Sequence, residues 1–293
     1  MTSVLYDAPG PVARRREHLG SLVGAGLLLV LLAAGVWWGA REGLFAADRW
    51  DVLYDPPKNQ TAADVWQSMV IRGLGATLRA AAVAAPLALV LGLALAVWRT
   101  TRHAVVRAPA VVVIELFRGL PVLLMMFFGL LALGLDAFQA VVFGLVVYNM
   151  AIIAEILRAG LASLPKGQTE AAYAIGLSRS QTLFTILLPQ AVRTMLPSLI
   201  AQLVVLLKDS SLGFIVGYPE LLKSMQNNAQ FFGNRYFIAL FLVGAGVYLV
   251  INLTLSWVAR WISRRSARSG GTADDAALNE VQIAQNAPGG RPL

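Results

Sequence analysis

Six apolar stretches of about twenty residues, each bordered by arginine on one side, limit what this chain can fold into more than any other feature. Stretches of that length match the hydrocarbon thickness of a bilayer, where no water is present to satisfy peptide groups, so each backbone must close on itself as a helix. With 57% hydrophobic and 14% charged residues in 293, the apolar content far exceeds what one soluble domain requires. The fold class is therefore all-α: a polytopic membrane protein of about six transmembrane helices.

Residues 1–18 contain Arg14-Arg15-Arg16 and are expected to form a cytoplasmic N-terminal segment. Residues 19–40 are long enough to span and show no clear small-residue cleavage site, which favours a transmembrane helix over a signal peptide. Trp37 and Trp38 then mark its far interface. Residues 41–68 mix acids and bases around Pro56-Pro57 and read as an external loop, ending in a short interfacial helix around 62–69. Residues 69–262 hold the other five spans. The first of these ends at Arg99; its alanines and Gly92 suit the interior of a bundle, Pro86 is expected to bend it, and Arg79 is expected to snorkel to the external interface. The next, over 109–135, is interrupted at Arg118-Gly119-Leu120-Pro121. Spans over 138–157, 195–216 and 236–261 follow, the last two joined by an external loop over 217–235. Residues 263–293 lack a usable apolar face and are expected to be a disordered cytoplasmic tail.

Ionisable groups inside spans are default candidates for function. Lys208 and Asp209 lie about 18–20 Å in from the start of their span, beyond the middle of the membrane, and Ser210 and Ser211 add hydroxyls beside them. One or both charges face a water-filled path, or neighbouring helices satisfy the pair. Glu155 stands three residues before Arg158, and Arg118 three after Glu115, a spacing at which each pair can neutralise itself. Glu155 and Arg118 are carried as further candidates for the path.

Alternating the sides of the spans places the arginine-rich ends at 14–16, 99–107, 158–193 and 260–268 together, which puts both termini in the cytoplasm. The same distribution accounts for the net charge of +8, and binding to nucleic acid is not expected. The chain has no cysteine, and its two histidines, His18 and His103, stand beside arginines in polar flanks, so no metal site is expected. No phosphate-binding G-x-x-x-x-G-K-[ST] loop and no H-E-x-x-H pair occurs, and no catalytic residues are assigned.

Between the fourth and fifth spans, over 163–190, stands Glu170-Ala171-Ala172, then Gly176 after three residues, Ile186 after nine more, and Leu188-Pro189; a helix of roughly three turns ending at Gly176 is expected, and then one capped by Ser178 that runs to a break at Pro189. This pattern resembles the coupling loop of ATP-binding-cassette importer permeases. The runs over 115–123 and 208–212 resemble the polar amino-acid branch of that family, histidine, glutamine and glutamate permeases among them. The first helix and the acidic-alanine tail are similar to those of glutamate permeases of high-GC Gram-positive bacteria. The resemblance implies a five-helix permease core of the type I importer kind over 69–262, with an extra first helix, in the bacterial cell membrane. It implies that Glu170, Ala171, Ala172, Gly176, Ile186, Leu188 and Pro189 engage an ATPase dimer that alone uses ATP and Mg, and that this chain holds no cofactor. A second permease subunit, an extracytoplasmic binding protein and surrounding lipid complete the expected partners, with glutamate or glutamine as substrate. The alternative is a secondary amino-acid transporter driven by an ion gradient.

Overall fold

The computed structural model describes the backbone of residues 10–286 and the side chains of residues 15–262 other than residue 18. All regular structure among these residues is helical. Five helices are long and apolar enough to cross a membrane, or six if a bent pair counts as one.

Helix α1, Pro11–Arg41, starts earlier than residue 19 because Pro11 suits the first helical position, where its missing N–H costs nothing. Residues 1–9 lie outside the described residues. From Leu19 to Val36 its leucines and valines are exposed. The segment over 41–68 is more than a connector: short turns at Ala47–Arg49 and Asp51–Leu53 carry the fully buried Val52, and the Trp66 indole donates to Leu53 O at 3.1 Å. Thr61 and Asp64 form a reciprocal cap that starts helix α2, Ala62–Arg99, so the short separate helix expected over 62–69 is instead the first part of this span. Gln67–Leu74 is a π-helical stretch of α2, and the helix continues through Pro86.

The expected break in the next span is present. Helices α3, Ala104–Gly119, and α4, Val122–Ala132, meet at 105°. Leu120 is extended (φ −96°, ψ 140°) because the ring of Pro121 disfavours helical geometry in the residue before it. Helix α5, Ala137–Ser163, opens with a reciprocal Asp136–Gln139 cap and crosses the centre of the bundle. A short helix α6, Lys166–Ala174, leads to α7, Arg179–Phe214.

Three expectations are corrected. Pro189 does not break α7: a π-helical turn over Thr182–Leu187 precedes it, Leu188 N–H donates to Leu183 O, and the helix passes on through Pro197 to a tight turn at Ser210–Phe214. The wider π turn gives room for the proline ring, which would clash in a regular turn. The external loop expected over 217–235 contains helix α8, Leu221–Phe232, whose Leu221, Met225, Ala229 and Phe232 are buried at helical spacing. The tail over 263–286, expected to be disordered, continues helix α9, Phe237–Asn286. No proline follows Pro219 until Pro288, and the alanines, leucine and glutamines after Gly271 favour propagation of an existing helix. The tail call over 287–293 falls outside the described residues.

Two packed regions hold the bundle. The larger joins α2, α3, α5 and α7 around Ala80, Ala84, Ala88, Ile114, Leu145, Ile153, Leu199 and Leu206. The smaller caps one end, packing Val52, Val65 and Met69 against α8 and the start of α9. Thr77 ties the two together, donating to Gly73 O at 3.1 Å and accepting from Leu221 N at 3.2 Å. Arg79, at the same end, lies 4.7 Å from the centre of the Phe138 ring.

Apolar side chains gain little by leaving lipid for protein, so helices in a membrane associate through close fit, and small residues provide it. At Gly92 an added methyl would lie 2.6 Å from Ile153 Cγ2 and 2.9 Å from Met150 O on α5. At Gly246 it would meet nothing within 4 Å. Gly92→Ala is therefore expected to lower stability by about 1–3 kcal/mol and Gly246→Ala to leave it unchanged, as measured by thermal unfolding in detergent. Equal midpoints for the two variants would contradict this packing.

Candidate functional site

The predicted coupling residues gather at one end of the bundle. Helix α6 stands between two spans with Glu170 and Ala171 exposed, while Ala172, 2% exposed, anchors it. Its end is closed by a bond from Leu177 N to Ala172 O at 3.1 Å and by Gly176 at φ +83°, a conformation that only glycine adopts without strain. Ser178 then caps the start of α7. The π turn of α7 lies against α6 and contains the half-buried Ile186; Leu188 after it is buried and Pro189 exposed. Glu170, Ala171 and Ala172 thus lie on one exposed helix, Gly176 closes it, and Ile186, Leu188 and Pro189 belong to the helical shelf that supports it.

The predicted path residues fall into two groups. Asn149 on α5 accepts from Gln202 on α7 at 2.8 Å, which sets the two helices in register. Glu155 lies six residues from that bridge toward α6, and Lys208 six residues from it in the opposite direction. At 1.5 Å per residue the two levels are roughly 18 Å apart along the bundle.

At the lower level Glu155 is the centre of a charge cluster. It accepts from Arg99 at 2.9 Å and from Arg158 at 2.6 Å, with Arg118 at 3.8 Å; Arg118 also pairs with Glu115 at 2.7 Å, and Arg99 with Glu115 at 3.8 Å. The local pairings expected from sequence are present, but Arg99 adds a bridge between α2, α3 and α5 that sequence spacing could not reveal.

At the upper level Lys208 and Ser211 line a cavity of about 590 Å³ between α7, α8 and α9, with Glu220, Tyr248 and Asn252 among its walls. Lys208 also borders a neighbouring cavity of about 430 Å³ that reaches Ser256 and Arg260. Asp209 is half-buried and outside both linings, and Ser210 is buried with its hydroxyl donating to Leu207 O at 2.7 Å. Of the four consecutive residues, only Lys208 and Ser211 therefore share the cavity. The Tyr248 hydroxyl donates to Lys208 O at 2.9 Å, and Asn252 donates to Tyr248 O while its own Oδ1 is buried without a partner among the described residues.

Sequence reasoning missed Glu220, Tyr248 and Asn252. Glu220 is completely buried; its carboxylate accepts from Leu222 N at 3.0 Å and Lys223 N at 2.8 Å, capping α8. Burial pushes its carboxyl up to about 7, against the opposing effect of those two N–H groups. An acid directly before a run with helical apolar spacing was the available signal. Among the described residues no group of three or more potential ligands could hold a metal.

A family model described as binding-protein-dependent transport system inner membrane component matches residues 88–268. The glutamate transport system permease protein GluD of Corynebacterium glutamicum is 44% identical over 69% of this chain and 77% of its own length. A probable glutamine ABC transporter permease protein GlnP of Bacillus subtilis is 38% identical over 69% of this chain and 94% of its own. Among solved structures, one chain of an amino acid ABC transporter superposes with a TM-score of 0.63 at 29% identity, covering 70% of this chain and 97% of that one. The methionine transporter MetNI shares the fold, with a TM-score of 0.60 at 21% identity over 69% of this chain and 97% of its own.

Two outcomes follow from the charges. Glu155→Ala leaves Arg99 without its closest partner and is expected to cost about 1.5–3 kcal/mol, whereas Arg158→Ala, removing a more exposed group, costs about 1 kcal/mol or less. Thermal unfolding of both variants checks the order. Glu220 has a folded-state pKa above its unfolded value, so the folded chain holds the extra proton between about pH 4.5 and 7. The stability linked to that proton is present at pH 4.5 and is lost as pH rises through 7. Glu220→Gln should flatten this part of the pH profile; an unchanged slope would contradict the burial of an ionisable group there.

Proposed function

The chain belongs to the family of binding-protein-dependent transport system inner membrane components, and we propose that it is one permease subunit of an ATP-driven importer for glutamate or glutamine. The observation that carries this reading is the exposed helix α6, held between two spans by little more than Ala172 and the shelf beneath it. A helix with small side chains and one acid, standing clear of the membrane spans, offers a surface that a separate motor can grip. Relatives named as glutamate and glutamine permeases support the choice of substrate.

In this account both termini and α6 face the bacterial cytoplasm, as the arginine-rich ends of the spans require. Two ATPase subunits bind and hydrolyse ATP with Mg and dock on α6 and its counterpart in a second permease subunit. A binding protein delivers substrate on the opposite side. Closure of the ATPase pair displaces α6; α6 presses on the π turn of α7, and α7 carries the displacement without interruption to Lys208. Lys208 offers a cation to a substrate carboxylate, and Ser211, Tyr248 and Asn252 offer hydrogen-bonding groups beside it. Asp209, one residue on, is proposed to set the local field rather than line the cavity, and Glu155 with Arg118 to steady the cytoplasmic mouth.

Gly176→Val places a β-branched residue at φ +83°, a strain of about 1–3 kcal/mol at the junction of α6 and α7. It is expected to reduce ATP-driven uptake on the order of tenfold while the chain remains in the membrane. Uptake equal to the parent protein would remove α6 from the coupling role. Lys208→Met should lower uptake with ATPase docking intact, which separates the path from the grip.

A further inference from the structure

A third cavity, of about 500 Å³, lies at the α6 end of the bundle, behind the coupling helix, and shares Leu183, Phe184 and Leu187 with the π turn that supports it. Its walls come from the end of α2, the connector over 100–102 that follows it, the end of α5, Tyr173 of α6 and the first turns of α7. Two features of it are unlike an ordinary surface groove. Arg102 and Arg179 both line it, no acidic residue does, and among the described residues neither arginine forms an ion pair. The rest of the lining is mainly apolar, with Trp98, Tyr173 and Phe184 respectively 43%, 43% and 53% exposed.

From this we infer that the cavity binds an anionic phospholipid, its phosphate between Arg102 and Arg179 and its acyl region along Trp98, Phe184 and the neighbouring leucines. Two unpaired guanidiniums call for an anion, and guanidinium matches phosphate geometry. The aromatic and leucine surface excludes a free phosphate as the whole occupant, because it would stay uncovered in water. Position favours lipid over an acidic segment of a protein: Trp98 and Leu161 sit at the ends of membrane spans, where headgroups lie, and basic pockets between such spans at this level suit anionic headgroups. The bound lipid would fill the space between α6 and the span ends and brace the coupling helix against them.

The test uses the full-length chain purified in detergent, native mass spectrometry, and two probes, phosphatidylglycerol and phosphatidylcholine. The parent protein should retain one phosphatidylglycerol with a preference of about tenfold or more over phosphatidylcholine, undiminished by excess inorganic phosphate. The double variant Arg102→Gln, Arg179→Gln should lose that preference, and the double lysine variant should keep part of it, with equal thermal midpoints showing that all are folded. Equal retention of the two lipids, an undiminished preference in the glutamine variant, or displacement by inorganic phosphate would each overturn the inference. So would loss of ATPase attachment by the glutamine variant in membranes of phosphatidylcholine alone, because the cavity would then be part of a protein interface.

Discussion

The contact on which the rest of the structure depends is the close approach of α2 to α5. Gly92 lies directly against Ile153 and the backbone of Met150, and Ala80, Ala84 and Ala88 extend the same close fit toward the other end. In a bilayer this fit replaces the hydrophobic driving force that would join helices in water. Further small-residue contacts attach the remaining spans to the same frame: Gly144 on α5 lies against Met126 of α4, and Gly160 against Met195 and Ala191 of α7. A buried amide pair, Asn149 with Gln202, then sets α5 and α7 in register.

That frame gives the proposed coupling loop its mechanical meaning. Helix α6 is exposed and lightly held, but its shelf is the first part of α7, which is packed into the bundle. In the proposed mechanism a displacement at Glu170 would pass from α6 to the π turn it rests on and then along the continuous helix α7 to the cavity at Lys208. The charge cluster around Glu155 lies between these two levels and ties α2, α3 and α5 together near the coupling end. Opposite it, the cap formed by α8 and the turns over 47–53 closes the bundle around the buried Glu220.

Much of this was legible in the sequence because its causes are local. The presence of the spans, though not their full length, the break at Pro121 and the glycine end of α6 each follow from a few adjacent residues. The coupling motif is likewise contiguous, and its placement between two spans follows from counting. What was not legible depended on contacts between distant residues. The cavity at Lys208 takes Glu220, Tyr248 and Asn252 from other helices, and no spacing rule links those positions. Arg99 joins Glu155 across 56 residues. Helix α8 was overlooked because it is short and polar outside, although its buried face has a regular spacing, and Pro189 was read as a break because the π turn that accommodates it leaves no mark in composition.

The central claim is that this chain forms a path but cannot drive it. Uptake of labelled glutamate into proteoliposomes, containing this chain with or without the proposed second permease subunit, ATPase and binding protein, tests that claim most directly. Accumulation should require all the partners and ATP together and be indifferent to an imposed sodium or proton gradient. Gradient-driven accumulation by the chain alone would contradict it.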